Sequence, residues 1–442
     1  MNKSTLALAI VAGIVGLPSV QQASAAGFIE DSKVTLGLRN FYYDRNDQNT
    51  ADNRNEASEW GQGFILNYTS GYTQGTVGFG VDAIGLLGVR LDGGGDGDTS
   101  DRRKPGQLFP LDSDGTAVHE YGKAGATAKV RLSKTELRIG TLQPKLPVVT
   151  FNDGRLLPQL FEGGQLTSAE IDNLTLTAGQ LEHTKTRSST DDVGLRIAGS
   201  TSAAESNTFY YAGGDYKLTK ALTAQYYFGN LEDYYDQHFL GLVHNWALPV
   251  GALKTDLRYF DSRSDGKNAS AAGRAEGYRS SGFWVTGDAD RGEVDNRTWS
   301  ALFTWTLGGH ALSAGYQEVS GDSAFPFLNQ GDGASTYLIT DVQINKFASA
   351  GERTWQAGYA YDFAALGVPG LKASALYLSG DHIDAAGGDQ QEWERDLRLD
   401  YSLQDGALKG LTFTWRNAAL RGNAQTDQDE NRLIVSYSLP LL

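Results

Sequence analysis

Apolar and polar positions alternate with period two along most of the chain, most regularly at its C-terminal end. In one run Leu411, Phe413 and Trp415 share a face, with Thr412, Thr414 and Arg416 on the other. In the next, Leu433, Val435, Tyr437 and Leu439 lie opposite Arg432, Ser436 and Ser438. A two-residue period places successive side chains on opposite faces of a strand, so the two faces meet different solvents. The same pattern sets Val34, Leu36 and Leu38 against Thr35 and Arg39, and Leu253, Leu257 and Tyr259 against Lys254, Asp256 and Arg258. Trp299, Ala301, Phe303 and Trp305 oppose Ser300, Thr304 and Thr306, and Leu397, Leu399 and Tyr401 oppose Asp396, Arg398 and Asp400. Leu376 and Leu378 break the rule by standing where polar residues are expected.

The connections alternate in length. Ser133-Lys134, Pro249-Val250-Gly251, Gly308-Gly309 and Val368-Pro369-Gly370 are tight. Asp44 to Glu59, Asp92 to Glu120, Asp261 to Asn296, Gly321 to Thr336 and Asp381 to Glu394 read as long polar loops. Short turns at one rim and long loops at the other are the layout of an outer-membrane barrel. A membrane strand takes about 9–11 residues, so a chain of this length with large loops accommodates about 16 or 18 of them. The expected class is all-β, a transmembrane antiparallel β-barrel in one domain. A soluble sandwich also alternates, but Trp and Tyr at strand ends and only 10 prolines favour the barrel.

The first residues support export. Lys3 precedes an apolar stretch, Leu6 to Leu17, and a small-residue cleavage site, Ala23-Ser24-Ala25. That stretch is too short to span a bilayer, so residues 1–25 read as a secretory signal peptide and 26–442 as the mature barrel. No other run approaches the roughly 20 apolar residues of a membrane helix. With 54 Gly, 21 Tyr, 8 Trp and no Cys, the composition suits aromatic girdles around a polar lumen and excludes disulfides and thiolate sites. Without Lys3 the mature chain carries 37 basic and 53 acidic side chains, a balance of −16 that argues against nucleic acid as a partner.

Enzyme signatures are missing. There is no G-x-S-x-G elbow, and the six histidines form no H-E-x-x-H pair. His382, between Asp381 and Asp384, reads as a solvated turn. Asp92-Gly-Gly-Gly-Asp96-Gly-Asp98 has the charge of a calcium loop but lacks its Gly at position six and its closing Glu. No metal site, no cofactor and no catalytic set are expected.

One segment stands apart. Gln143-Pro-Lys-Leu-Pro-Val-Val-Thr-Phe-Asn-Asp-Gly-Arg-Leu-Leu-Pro158 interrupts the alternation with three prolines and Asn-Asp-Gly, so it is not an interior strand. It is too apolar for a solvated loop. In a barrel it belongs inside, narrowing the lumen, with Asp153 and Arg155 meeting the permeating solute.

Several runs now carry a family resemblance: Gly27-Phe-Ile-Glu-Asp-Ser32, Trp60-Gly-Gln-Gly-Phe64, Ser70 to Asp82, Ala128 to Thr135, Asn152-Asp-Gly-Arg-Leu-Leu-Pro158 and Asn431-Arg-Leu-Ile-Val435. Together they resemble the porin D family of substrate-specific outer-membrane channels of pseudomonads. The resemblance implies eighteen strands, an inward-folded constriction loop, and a ladder of basic side chains opposed by an acidic pocket. It implies passive uptake of small carboxylates across the outer membrane of a Gram-negative cell. By the same resemblance Arg155 corresponds to the constriction arginine, and Arg39, Arg398, Arg416 and Arg432 to ladder positions. Their parity along the strands agrees independently. Thr414 stands where some members carry a further arginine. Asp153 is the candidate acidic opponent, and Lys185 and Arg187 are candidates to guard the entrance.

A ladder suits flux better than one tight site. An arginine fork holds a carboxylate bidentately, yet transport needs release. A millimolar site corresponds to about −4 kcal/mol. With steered association near 10⁸ M⁻¹s⁻¹ it empties about 10⁵ times per second. A micromolar site would be about a thousandfold slower. The plainer reading is that some arginines brace the wall against Asp82, Asp256 or Asp400. Three function classes follow: a carboxylate-selective channel, cyclic or aromatic carboxylates foremost; a general diffusion porin, or a basic amino acid or peptide channel of the same family; and an outer-membrane enzyme or adhesin. The expected partners are small carboxylates, outer-membrane lipid and lipopolysaccharide, the chain acting as a monomer or weak homotrimer.

Overall fold

The computed structural model describes residues 27–51, 54–95, 101–199, 204–328 and 335–442. The expected signal peptide and Asp96 and Asp98 of the acidic loop lie outside these residues. The wall begins with β1 (Lys33–Asp47), β2 (Glu56–Thr69), β3 (Val77–Asp92), β4 (Glu120–Leu132) and β5 (Thr135–Leu142). Next comes a small separate hairpin, β6 (Lys145–Leu146) with β7 (Val149–Thr150). β8 (Leu160–Ser168) and β9 (Leu174–Lys185) resume the wall, and the short β10 (Asp192–Gly194) pairs with the rim end of β9. There follow β11 (Phe209–Lys217), β12 (Leu222–Leu231), β13 (Tyr235–Ala247), β14 (Ala252–Ser264) and β15 (Asp295–Leu307). The last six are β16 (His310–Ser320), β17 (Arg353–Asp362), β18 (Leu371–Ile383), β19 (Gln390–Ser402), β20 (Thr412–Gly422) and β21 (Gln428–Pro440).

Leaving aside β6, β7 and β10, eighteen strands form one antiparallel sheet. It closes where β21 pairs with β1, from Thr35↔Pro440 to Asp47↔Gln428. Closure removes the unpaired edges that a bilayer cannot solvate. The period-two pattern sets the two faces: Trp299 and Phe303 on β15 are exposed outward, while Thr298 and Ser300, on either side of Trp299, are buried inside. Outward-facing rings gather in a belt, with Trp299–Tyr316 and Trp355–Tyr377 centroids 5.4 Å apart and Tyr377–Trp393 5.8 Å apart.

The turns behave largely as expected. Ser133-Lys134 and Gly308-Gly309 connect strands directly, Ser133 and Gly308 taking positive φ. Two expected loops are shorter, because β1 and β2 run on to enclose only residues 48–55, and β18 and β19 only 384–389. Charges there alternate as strands do; Arg45 and Asp47, two apart, pair at 3.0 Å. The loop expected to end at Thr336 instead continues to Glu352.

The buried core lies inside the barrel rather than between layers. One cluster joins Val148 and Val149 to Phe209, Tyr235, Phe239 and Phe260 on the wall and to Phe325 and Leu338 of the 321–352 segment. A second joins Leu156 and Leu157 to Phe41, Tyr43 and Leu86 and to Leu108 and Phe109 of the 93–119 loop. Three segments therefore fold inward, not one. Leu378, out of pattern in the sequence, is fully buried and stands in register between Gln356 and Glu394, two buried polar residues of the neighbouring strands. Apolar groups within the long loops, Leu108-Phe109-Pro110 and Phe325-Pro326-Phe327-Leu328, carried that signal unnoticed.

Candidate functional site: the constriction and its arginines

The inward loop, residues 143–159, is pressed against the lumen face of β2. Glycines at 61 and 63 make this possible: a Cβ on Gly61 would lie 2.7 Å from Leu156 Cδ2 and 2.7 Å from Phe109 Cζ, and one on Gly63 2.9 Å from the Leu156 carbonyl oxygen. Gly61→Val is therefore expected to push the loop off the wall, raising single-channel conductance while the barrel still forms. A conductance equal to wild type would show that the loop is held elsewhere.

From the wall, Arg39 reaches the tip of the loop. It donates to both oxygens of Asp153, at 2.7 and 3.1 Å, and to the Arg155 carbonyl oxygen at 2.8 Å. The Asp153 side chain is 43% exposed, so this pair borders the open lumen. Two expected site residues thus meet each other, one from β1 and one from the loop.

Arg155 is placed differently from the expectation that it faces the solute. It is 1% exposed, turned back towards the wall, its guanidinium 4.5 Å from the Tyr43 ring centroid and 3.9 Å from Glu430 Oε2. The physical reason is Glu430, a wall carboxylate that gathers several donors. Tyr43 Oη donates to it at 2.8 Å and Gln343 Nε2, from the 321–352 segment, at 3.0 Å. Arg432 Nε donates to it as well, and Arg432 also reaches the Gly154 carbonyl at 3.3 Å and the Gln343 carbonyl at 2.8 Å. Like Arg155, Arg432 is 1% exposed. Burial, and then the Arg432 guanidinium, push the Arg155 pKa below its ordinary value.

Lys185 and Arg187, expected near the entrance, are buried too. Lys185 donates to the Pro158 carbonyl at 3.3 Å, tying down the end of the inward loop. Burial, with Arg155 and Arg432 nearby, holds Arg187 well below the ordinary arginine pKa. Glu430, Tyr43 and Gln343 escaped the sequence reading. Glu430 was findable, since its position two residues before Arg432 puts both on one face of a strand.

The remaining arginines form a row. Arg398 on β19 lies directly opposite Arg416 on β20, and Arg416 opposite Arg432 on β21. The row continues to Tyr43 on β1 and Glu59 on β2. Strands in such barrels tilt by about 35–45°, so a row across them climbs as a staircase along the pore axis. Arg398 sits four residues from the short-turn end of β19 and Arg432 eight from that of β21.

The three steps differ in their compensation. Asp400 accepts from Arg398 at 2.6 and 2.9 Å, and from Thr414, the residue where a further arginine was possible, at 2.6 Å. Glu430 neutralises Arg432. Arg416, between them, makes no ion pair or hydrogen bond among the described residues, and its Nε is buried without a partner. Asp256, considered as a brace, does hold Arg258, at 2.8 and 2.9 Å. Among the described residues no group of three or more His, Cys, Asp or Glu side chains is arranged to hold a metal.

Comparison with known proteins bears on this arrangement. The model of the outer membrane porin, OprD family, matches residues 26–441. Porin D of Pseudomonas aeruginosa is 36% identical, with 100% of this chain and 99% of that protein aligned. The porin-like protein GalP of Pseudomonas putida is also 36% identical, covering 95% of each. The crystal structure of Pseudomonas aeruginosa OccK8 (OprE) superposes with a TM-score of 0.87 at 61% identity, over 94% of this chain and 100% of that one. That of Pseudomonas aeruginosa OpdK with vanillate gives 0.82 at 37% identity, with the same coverage.

Proposed function

Since this chain belongs to the OprD family of outer-membrane porins, substrate-specific channels and not enzymes, we propose that its pore selects small carboxylates, aromatic or cyclic ones foremost. The observation that carries this reading is Arg416. It is a wall cation without a carboxylate partner, set between two further arginines on a staircase through the lumen. A cation with no carboxylate in contact, beside a low-dielectric wall, raises the local concentration of anions. Arg39, half-buried behind the exposed Asp153 at the loop tip, offers a neighbouring step where an incoming carboxylate competes with Asp153 for the same guanidinium fork.

Arg155 and Arg432 act in this reading as positioning residues. They hold the inward loop and the 321–352 segment against Glu430, and so set the bore. The solute track is then made of Arg39, Arg416 and the partly compensated Arg398. A relative solved with vanillate, itself an aromatic carboxylate, is consistent with that class. A general diffusion porin would need a wide bore, and here three segments fill the lumen.

Single-channel recording in planar bilayers tests the proposal. The expected result is a small conductance, anion-preferring, interrupted by brief blocks when benzoate is added. A large conductance indifferent to benzoate, or block by arginine and not by benzoate, would overturn it.

A further inference from the structure

On the short-turn side of the inward loop lies a cavity of about 410 Å³. It is roofed by Gln143 to Pro147 and by Tyr337, and walled by residues of β2, β3, β4, β5, β8, β9, β11 and β12. Pockets of roughly 300–1,000 Å³ hold drug-sized molecules, so a single-ring solute fits with water to spare.

Four charged residues border this cavity: Asp82, Arg138, Lys145 and Asp215. Three of them are already engaged. Asp82 pairs with Lys129 at 2.6 Å and with Arg138 at 3.7 Å, and Arg138 also donates to Glu136. Asp215 accepts from Gln225 Nε2 at 2.5 Å and from Tyr227 Oη at 2.7 Å. Lys145 differs. Its side chain makes no ion pair or hydrogen bond among the described residues; its ammonium sits 5.0 Å from the Phe151 ring centroid. It is exposed, and it is carried on a hairpin whose register is Lys145↔Thr150 and Leu146↔Val149, between Pro144 and Pro147. The rest of the lining is mainly hydroxyl and amide, including Thr141, Gln143, Gln165, Thr167 and Thr177.

We propose that this cavity is a second solute station, taking a hydroxylated carboxylate as it leaves the constriction. Lys145 receives the carboxylate, and the threonines and glutamines receive the hydroxyl groups. The proposal rests on the carboxylate reading above and adds a site, a direction and a finer substrate class. A lysine is a point charge with rotatable donors, whereas an arginine offers a fixed fork. A lysine on the exit side therefore holds the solute less tightly than the arginines before it, which favours forward release.

The experiment uses the full-length protein in planar bilayers, with benzoate or 4-hydroxybenzoate added to one side at a time. In wild type, 4-hydroxybenzoate added from the short-turn side is expected to block for longer than benzoate. Lys145→Met keeps the apolar stem and removes the charge. It is expected to shorten that block about tenfold, the effect of losing one charge-assisted contact. Lys145→Arg should restore it. Resistance of the folded barrel to detergent on gels confirms that each variant assembles. Equal dwell times for the two solutes would overturn the hydroxyl preference. Unchanged block in Lys145→Met, with wild type still blocked, would overturn the station while leaving the carboxylate reading intact. Absence of block by either anion in wild type would overturn both.

Discussion

Glu430→Gln is expected to loosen the constriction and leave the barrel standing. The Glu430 carboxylate receives Tyr43, Gln343 and Arg432, and lies 3.9 Å from Arg155. Both arginines are 1% exposed, so removing the negative charge strands two buried cations. Breaking a buried pair in this way costs about 3–5 kcal/mol. The loss falls on the junction where the inward loop and the 321–352 segment meet the wall, because those are the elements that Arg155 and Gln343 belong to. Closure of the eighteen strands rests on backbone pairing, in which Glu430 takes part through its main chain opposite Arg45 and Ala418 and not through its carboxylate. Larger, noisier single-channel currents and weaker benzoate block are therefore expected, with detergent resistance of the barrel retained. Glu430→Asp, which keeps the charge, should recover part of the wild-type conductance. Wild-type currents in Glu430→Gln would mean that apolar packing of Leu156 and Leu157 holds the loop without the ionic junction.

Arg416→Gln should weaken anion preference and, at the same time, leave thermal stability equal or higher. Those two signs separate a solute-facing arginine from a wall brace. A unit charge about 8 Å from a passing carboxylate is worth roughly 0.5–2 kcal/mol, depending on the effective dielectric. That corresponds to about a 2- to 30-fold change in anion occupancy, readable as a shift of reversal potential in a salt gradient. Stability moves the other way because Arg416 stands between Arg398 and Arg432 with no carboxylate in contact, and their repulsion outweighs the more distant attraction of Asp400 and Asp396. Removing it relieves like-charge crowding. A brace such as Arg258, held by Asp256 at 2.8 and 2.9 Å, should behave oppositely on substitution by glutamine, losing stability with little change in selectivity. A drop in the melting temperature of Arg416→Gln without a change in reversal potential would assign Arg416 to the wall.

How much of this was legible beforehand depends on the distance over which each feature is decided. Strand identity and facing are local: Trp299, Phe303 and Trp415 face outward, and Thr298, Ser300 and Arg416 inward, as their parity requires. The inward loop was also legible, since three prolines and a Leu-Leu pair suit neither a strand nor a solvated loop. The second and third inward segments were passed over, because their apolar groups are embedded in long stretches of polar residues. Only the fold shows what those groups cover.

By itself the sequence determined the barrel, its two faces, its constriction loop and the lumen-side parity of Arg398, Arg416 and Arg432. A two-residue period and turn chemistry act within a few residues of chain, so they survive without knowledge of neighbours. Tertiary structure decided which of those arginines is held by a carboxylate. An arginine's freedom depends on whether a carboxylate lies within a few ångströms, and here the deciding partners are set by register and loop docking. Glu430 claims Arg432 from the same strand and draws in Arg155 from a loop some 275 residues earlier in the chain. Asp400 claims Arg398, and no described carboxylate contacts Arg416, on which Asp400 and Asp396 act only from a distance. Charge was written locally; its compensation was not.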